Sequence, residues 1–408
     1  MTATDVLIAG GGLVGSSLAA ALAETGLSVT VVEAAPVNAA RPPSFDERHT
    51  ALAPGSQVFF ETLGIWPAMA HRATPLTEIR VSDRGRFGFM RMTAAEEGLP
   101  ALGWVVPNHV IGAALRAALA EAAAVTVHQP ARLGAMTADD EGVTALVDGP
   151  DGEHSVRARL LVVAEGAGSP TREALGIGLQ ERPYDQAAVV AKVTAERAHD
   201  GRAWERFTPD GPLAVLPATD GVAVVWTVPN ARAAELRDAG DDDFLRRLQH
   251  QFGYRLGRLT GVGQRSTYAL SALAADRVAG RHAVVVGNAA HTLHPVAGQG
   301  LNLSLRDVAT LAEYLADSPR EALGSEALLQ AYARARAGDY RRVFGFTDLM
   351  VRGFSNRLPG VSALRDGVLL GLDLLPGARR AVVQRAMGRH GWTPRLMRGV
   401  GLERGGSN

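Results

Sequence analysis

The apolar positions follow two periods along the chain. Asp5 to Ala9 (DVLIA) is a short β-branched run without polar alternation, the pattern of a parallel strand covered on both faces. It meets Gly10-Gly11-Gly12-Leu13-Val14-Gly15, after which Ala and Leu recur through Ser16 to Glu24 as in a helix that stops near Gly26. Ser28 to Val32 is again apolar and β-branched and ends at Glu33, so the chain opens strand–turn–helix–strand. Further on, the pattern predicts a helix over Ala113 to Ala123, entered from a Pro107-Asn108 turn, and alternating strands joined by Asp/Gly turns from Val125 to Val162. Arg159 to Ala164 and Ala283 to Val286 read as two more buried strands, the second followed by Gly287-Asn288. Residues 187–228 read as sheet, with Trp226 in its core, and Leu301 to Leu315 as a helix. From about 326 the chain reads as helical, with breaks at Pro359, Pro376 and Pro394. No internal repeat or low-complexity linker interrupts it.

Composition narrows the class. A length of 408 residues suggests two or three domains, and 47% apolar with 21% charged residues is ordinary for a globular protein. The chain has no cysteine, which excludes disulfides, thiolate nucleophiles, Cys-held zinc and cysteine-ligated iron–sulfur clusters. Lys+Arg and Asp+Glu are equal at 42, which argues against a generally basic nucleic-acid binder. No run of about 18–20 residues free of charge and turn residues predicts a transmembrane helix. The N-terminus lacks a cationic segment and carries Asp5, so it reads as a strand rather than a signal peptide.

Two motifs carry chemistry. In Gly10-x-Gly12-x-x-Gly15, Gly10 allows a tight turn, Gly12 lets backbone approach a pyrophosphate, and Gly15 permits close helix–strand packing. Leu13 and Val14 lie inside the fingerprint and are cofactor-binding candidates with the glycines, and the positive end of the helix that follows favours phosphate charge. Glu33 is placed to accept hydrogen bonds from a ribose. This fingerprint leaves FAD and NAD open. The second motif runs from Asn288 through His291, His294, Pro295, Gly298, Gln299, Gly300, Leu301 and Asn302 to Leu303. Its glycines allow close approach to a flat ligand, and a helix starting near Gly300 aims its positive end back at that ligand. His291 and His294 lack a third ligand for a metal site, so His291 reads as a loop histidine bonded to backbone, and His294 as a residue lining the pocket.

The stretch HPVAGQGLNLSLRD (His294 to Asp307) resembles the signature of the FAD-dependent hydroxylases of ubiquinone biosynthesis, within the larger class similar to para-hydroxybenzoate hydroxylase. Ser304 stands where that signature has glycine. Phe45 to Leu52 resembles the family's D-x-R-x-x-A-L segment, which implies a flavin-side role for Arg48. Ala164 to Arg172 resembles A-D-G-x-x-S-x-x-R, with Glu165 for the usual aspartate, and implies FAD and NADPH contacts for Glu165 and Gly166. Asn288 replaces an aspartate that often contacts the ribitol or pyrophosphate, and an amide can still hydrogen-bond there. Asn108 resembles a position opening the helix that flanks FAD, where a plain helix N-cap is the other reading. The stretches Val81 to Gly85, Pro183 to Gln186, Gly201 to Thr208 and Gly211 to Pro217 are similar to the branch that hydroxylates 2-polyprenyl-6-methoxyphenol.

The resemblance implies an α/β protein with a Rossmann-like FAD-binding domain of the para-hydroxybenzoate-hydroxylase fold, an inserted β-sheet substrate domain and a helical C-terminus. The expected boundaries are 1–75, 100–180 and 270–330 for the FAD domain, 76–99 and 181–269 for the substrate domain, and 331–408 for the C-terminal segment. The implied activity is NAD(P)H- and O2-dependent hydroxylation of a polyprenylated phenol through a flavin C4a-hydroperoxide, with His294 and Pro295 beside the reaction. FAD is the cofactor, NADPH or NADH the co-substrate, and no metal is expected. The remaining alternatives are a same-fold flavoprotein acting on another phenol or an isoprenoid, and a flavin-binding scaffold without catalysis. From Arg341 to Arg404 twelve arginines face four acids, interleaved with apolar stretches such as Val368 to Leu375. That pattern suits a membrane surface. The expectation is a cytoplasmic protein held peripherally on the inner face of the membrane, with O2 and the phenol as partners, no nucleic acid, and a ubiquinone-biosynthesis complex within reach.

Overall fold

The computed structural model describes residues 2–36, 48–86, 88–295, 298–354, 377 and 392–403. Phe45 to Glu47, Val296, Ala297, the expected breaks at Pro359 and Pro376, and most of the arginine-rich segment lie outside the described residues.

The opening unit forms as its pattern requires. Strand Thr2–Ala9 pairs in parallel with Val29–Val32 on one side and Gly152–Val163 on the other. The sheet continues in the order Ala279–Gly280, Ala283–Val285, Gly152–Val163, Thr2–Ala9, Val29–Val32, Val125–His128. Val6, Leu7 and Ile8 are fully buried because both faces are covered. Val6 and Ile8 pack into a core with helices Leu13–Leu22 and Gln299–Ala316. Leu7 and Ala9 pack on the opposite side with Val143, Ala145 and Val147 from an antiparallel extension, Arg132–Ala138 and Val143–Gly149.

A second sheet has nine strands. Its main path ends in His291–Thr292 at one edge and the hairpin Glu78–Asp83/Phe89–Thr93 at the other. Helices Asn230–Asp238 and Asp241–Phe252 cover its outer face, where Trp226 packs edge-on against Phe244. Its inner face belongs to a different core with Leu76, Leu102, Val105 and Ala51. A three-stranded sheet, His49–Leu52, Trp104–Pro107 and Thr74–Pro75, lies between the two. Helix Glu326–Phe354 follows on from the first sheet's helices. The architecture is the mixed α/β fold that the sequence implies.

Candidate active site

The first half of the site forms around the glycine turn. Gly10 has φ of 100°, open to glycine at little cost, and a Cβ there would lie 2.7 Å from the Ala164 carbonyl oxygen. A Cβ on Gly15 would lie 1.9 Å from the Gly10 carbonyl oxygen and 3.2 Å from Ile8. Helix Leu13–Leu22 has no side-chain cap at Gly12 and no acid in its first turn. Its first N–H groups and positive dipole end are therefore left for an anion, which fits a pyrophosphate. Glu33 accepts from Gly11 N at 2.6 Å and Ala35 N at 2.7 Å, so the backbone aims this carboxylate at the glycine turn.

Two neighbours meet the same turn. Gly287, at φ of 61°, packs so closely that a Cβ would lie 2.9 Å from Val14 Cγ1, and Asn288 beside it is exposed between buried Gly287 and Ala289. An exposed amide emerging from a buried turn beside a helix N-terminus fits a ribitol or phosphate contact. Gly166, at φ of 93°, follows Glu165, but the Glu165 carboxylate turns away. It accepts from Ser169 Oγ, Thr171 N and Thr171 Oγ1, and so reinforces the Ser169 cap of helix Pro170–Ala174. The extra methylene relative to aspartate gives the reach for this cap.

The second half is built on the loop before helix Gln299–Ala316. Gly298, at φ of 59°, is its N-cap, donates its N–H to the Pro295 carbonyl at 3.0 Å, and faces Ala51. A Cβ on Gly300 would meet nothing within 4 Å, so the helix start borders open space. Leu301 is half-buried beside it. Asn302 holds the loop from behind: Oδ1 accepts from Ala53 N and Ser56 Oγ at 2.8 Å each, and Nδ2 donates to Ala51 O and Gly298 O. Gln299 is buried with it. Ser304, at the family's glycine position, donates to the Gly300 carbonyl at 3.1 Å.

Two expectations need correction. Asn108 is not the helix cap: Pro107 is, and the buried Asn108 Oδ1 accepts from Thr50 Oγ1 at 2.6 Å while its N–H holds the Arg48 carbonyl. His291 is not bonded to backbone through Nε2: that atom lies 2.6 Å from Asp307 Oδ2, inside the protein. Asp307 is fully buried and also accepts from Arg336 Nε at 2.8 Å and Tyr340 OH at 2.9 Å. Burial alone would raise its pKa, but the charges of His291 and Arg336 and the hydrogen bonds they make hold it at about 2. Asp339 extends the network to Arg306 and Arg336. This cluster clamps helix Gln299–Ala316, the residues just before the loop and helix Glu326–Phe354 together.

The second sheet turns its inner face to this loop. Tyr184 stands edge-on to His294, ring centroids 5.1 Å apart, and the Arg48 guanidinium lies 4.6 Å over the Tyr268 ring. His294 is buried, and burial lowers its pKa to about 4, so it is a neutral imidazole near neutral pH. The strand registers place Val81, Glu205, Ala214, Val225, Val190 and Ser266 in one row across that face. All but Val81 are half-exposed although they lie mid-sheet. Water therefore reaches the centre of an apolar face, the condition for a substrate cleft. The structure thus brings Gly10, Gly12, Leu13, Val14, Gly15, Glu33, Gly166 and Asn288 to one place, and Arg48, His294, Pro295, Gly298, Gly300 and Leu301 to another. Glu165, Asn108 and Asn302 support these groups from behind.

The FAD binding domain family matches residues 3–347. A ubiquinone hydroxylase of Rhodospirillum rubrum is 39% identical over 404 residues, covering 98% of this chain and 93% of the relative. The 3-demethoxyubiquinol 3-hydroxylase of Escherichia coli is 34% identical, covering 94% of this chain and 98% of the relative. The crystal structure of p-nitrophenol 4-monooxygenase from Pseudomonas putida superposes with a TM-score of 0.78 at 19% identity, over 95% of this chain and 99% of that one, and shows the same fold. The chain belongs to the FAD-binding-domain family and, within it, to the flavin-dependent hydroxylases of ubiquinone biosynthesis.

Proposed function

We propose that this FAD-dependent monooxygenase hydroxylates the ring of a polyprenylated phenol, with 2-polyprenyl-6-methoxyphenol as its substrate. The observation that carries this is the half-exposed and mostly apolar row across the second sheet, on the face that meets His294 and Arg48 through Tyr184 and Tyr268. A flat ring with an isoprenoid tail buries apolar surface there, at about 25 cal/mol per Å2. The residues of the first half would hold the pyrophosphate and ribityl parts of FAD. Pro295 and Gly298 to Leu301 would lie along its ring, where the dipole of an 18-residue helix favours negative charge. Hydride uptake from NAD(P)H and activation of O2 are the chemistry that FAD supplies when bound. Arg48, stacked on Tyr268, and His294, packed on Tyr184, close the cleft from the flavin side and keep water off the reacting centre.

The test is NADPH oxidation by the FAD-loaded protein with 2-methoxy-6-prenylphenol. The proposal expects stimulation by the phenol and a product heavier by one oxygen atom. NADPH oxidation that yields hydrogen peroxide and unchanged phenol would contradict it. A membrane surface as partner is a further part of the reading, supported by the arginine-rich segment from 341 to 404 and the apolar tail of the substrate. Among the described residues no helix is long and apolar enough to cross a membrane. Cosedimentation with anionic vesicles, and its loss in a chain cut after 354, tests that contact.

A further inference from the structure

Oxygen transfer to an aromatic ring is easier from a phenolate than from a phenol, because the deprotonated oxygen pushes electrons into the ring. The site therefore gains from a group that takes the phenolic proton. His294 is a poor acceptor, since its buried imidazole is a weak base with a pKa near 4.

Glu205 is differently placed. On strand Arg202–Thr208 its neighbours Trp204 and Arg206 point to the outer face, where Trp204 packs on Phe252 and Arg206 Nε donates to the Gln251 carbonyl. Alternation sends Glu205 to the inner face with Ala203 and Phe207, opposite Val81 on one side and Ala214 on the other. It is the one acid in the half-exposed row. Its carboxyl has no hydrogen-bond or ion-pair partner among the described residues. A carboxylate without partners in an apolar face destabilises the fold, and a ligand bearing a donor would relieve it.

We propose that the Glu205 carboxylate accepts the proton of the substrate's phenolic hydroxyl, a role that rests on the phenol-hydroxylase reading above. The phenolic O–H bond breaks, the proton bonds to a Glu205 oxygen, and the electron pair stays on the substrate oxygen. Nothing is oxidised or reduced in this step. After oxygen transfer, the ring carbon loses its hydrogen as a proton and the new quinol oxygens are protonated, so Glu205 can return the proton it took. Surrounding protein supports the assignment by pushing the Glu205 pKa up to about 7, where a base is both populated and strong enough to act. Among the described residues, the other titratable or charged groups on that face are Asp83, Tyr184, Lys192 and Tyr268, with His294 and Arg48 facing it from the flavin side.

The experiment compares wild type, E205Q and E205D as FAD-loaded full-length chains with 2-methoxy-6-prenylphenol. E205Q keeps the wild-type FAD content, and its kcat/KM falls about 100-fold or more. The rise of wild-type kcat/KM through about pH 7 is absent in E205Q and is partly restored, at a shifted pH, in E205D. Infrared difference spectra of the oxidised, anaerobic protein give an independent reading: adding the phenol produces a protonated-carboxyl band in wild type and none in E205Q. An active E205Q with wild-type kcat/KM and the same pH limb overturns the role, as does a carboxyl band that persists in E205Q. Should E205Q fail to fold, the same band and pH limb are read in E205D, where an unshifted limb overturns it. A wild type that transfers no oxygen to the phenol defeats the underlying reading instead, and is recognised before any variant is compared.

Discussion

Asp307 and Glu205 are both carboxylic acids inside this protein, one in the cluster behind the cofactor loop and one on the inner face of the second sheet, and they have opposite fates. Asp307 is surrounded by donors: His291, Arg336 and Tyr340 bond its two oxygens, and its pKa falls to about 2. Glu205 stands between Val81 and Ala214 with no hydrogen-bond or ion-pair partner among the described residues, and burial raises its pKa to about 7. Burial pushes both upward, so the partners alone decide the difference. A satisfied carboxylate is a fixed charge that holds elements in place. An unsatisfied one is poised to exchange a proton. The first suits the back of a cofactor loop and the second suits a substrate cleft.

The contrast is broken most severely at Asp307. Asp307→Asn leaves Arg336 buried beside a neutral amide, and we expect a loss of about 3–5 kcal/mol in urea denaturation, with loss of bound FAD. Equal stability for this variant would show that the network is not the clamp. His294 gives the next effect. Its folded pKa of about 4 lies below its unfolded value of 6.5, so the unfolded chain binds the extra proton between those values. Stability is therefore lost as pH falls from 6.5 to 4, by up to about 3 kcal/mol, and thermal melts of His294→Phe should lack that part of the acid loss.

Glu205 gives the opposite slope. Its folded pKa of about 7 lies above the unfolded 4.5, so stability falls as pH rises between them and then levels off. Glu205→Gln removes that fall and should be more stable than wild type at pH above 7, by about 1–3 kcal/mol. A variant that is less stable there would mean that Glu205 has a partner. The smallest change is Glu165→Asp, which installs the family's usual acid. It shortens the cap on helix Pro170–Ala174 and should cost about 1 kcal/mol in the melt while FAD content stays the same.

Much of this was legible in the sequence, for local reasons. The strand–turn–helix–strand opening needs only its own residues, and the glycines at 10, 15 and 298 have the conformations or close contacts that their motifs imply. The apolar pattern places helix starts a few residues late: the Ala113 helix begins at Asn108 and the Leu301 helix at Gln299, because polar and glycine residues in a first turn look like loop. Helix Asp241–Phe252 gave no such signal, since three aspartates mask an amphipathic start that their charge in fact favours. What the sequence hid was pairing over distance. Asp307 looks like a surface acid on its helix until Arg336, 29 residues later, folds against it. Glu205 sits in an ordinary Trp-Glu-Arg-Phe run, and only the register with Val81 and Ala214 reveals which face it joins. The roles of Asn302 and Glu165 shifted for the same reason: their polar atoms are taken by backbone and hydroxyl groups of other segments or turns.

A crystal structure of the protein with FAD and 2-methoxy-6-prenylphenol tests the account most directly. The flavin ring is expected along Pro295 and Gly298 to Leu301, and the phenol on the row from Glu205 to Val190 with its hydroxyl within hydrogen-bond distance of Glu205. A flavin ring or a phenol bound away from that loop and that face would contradict it.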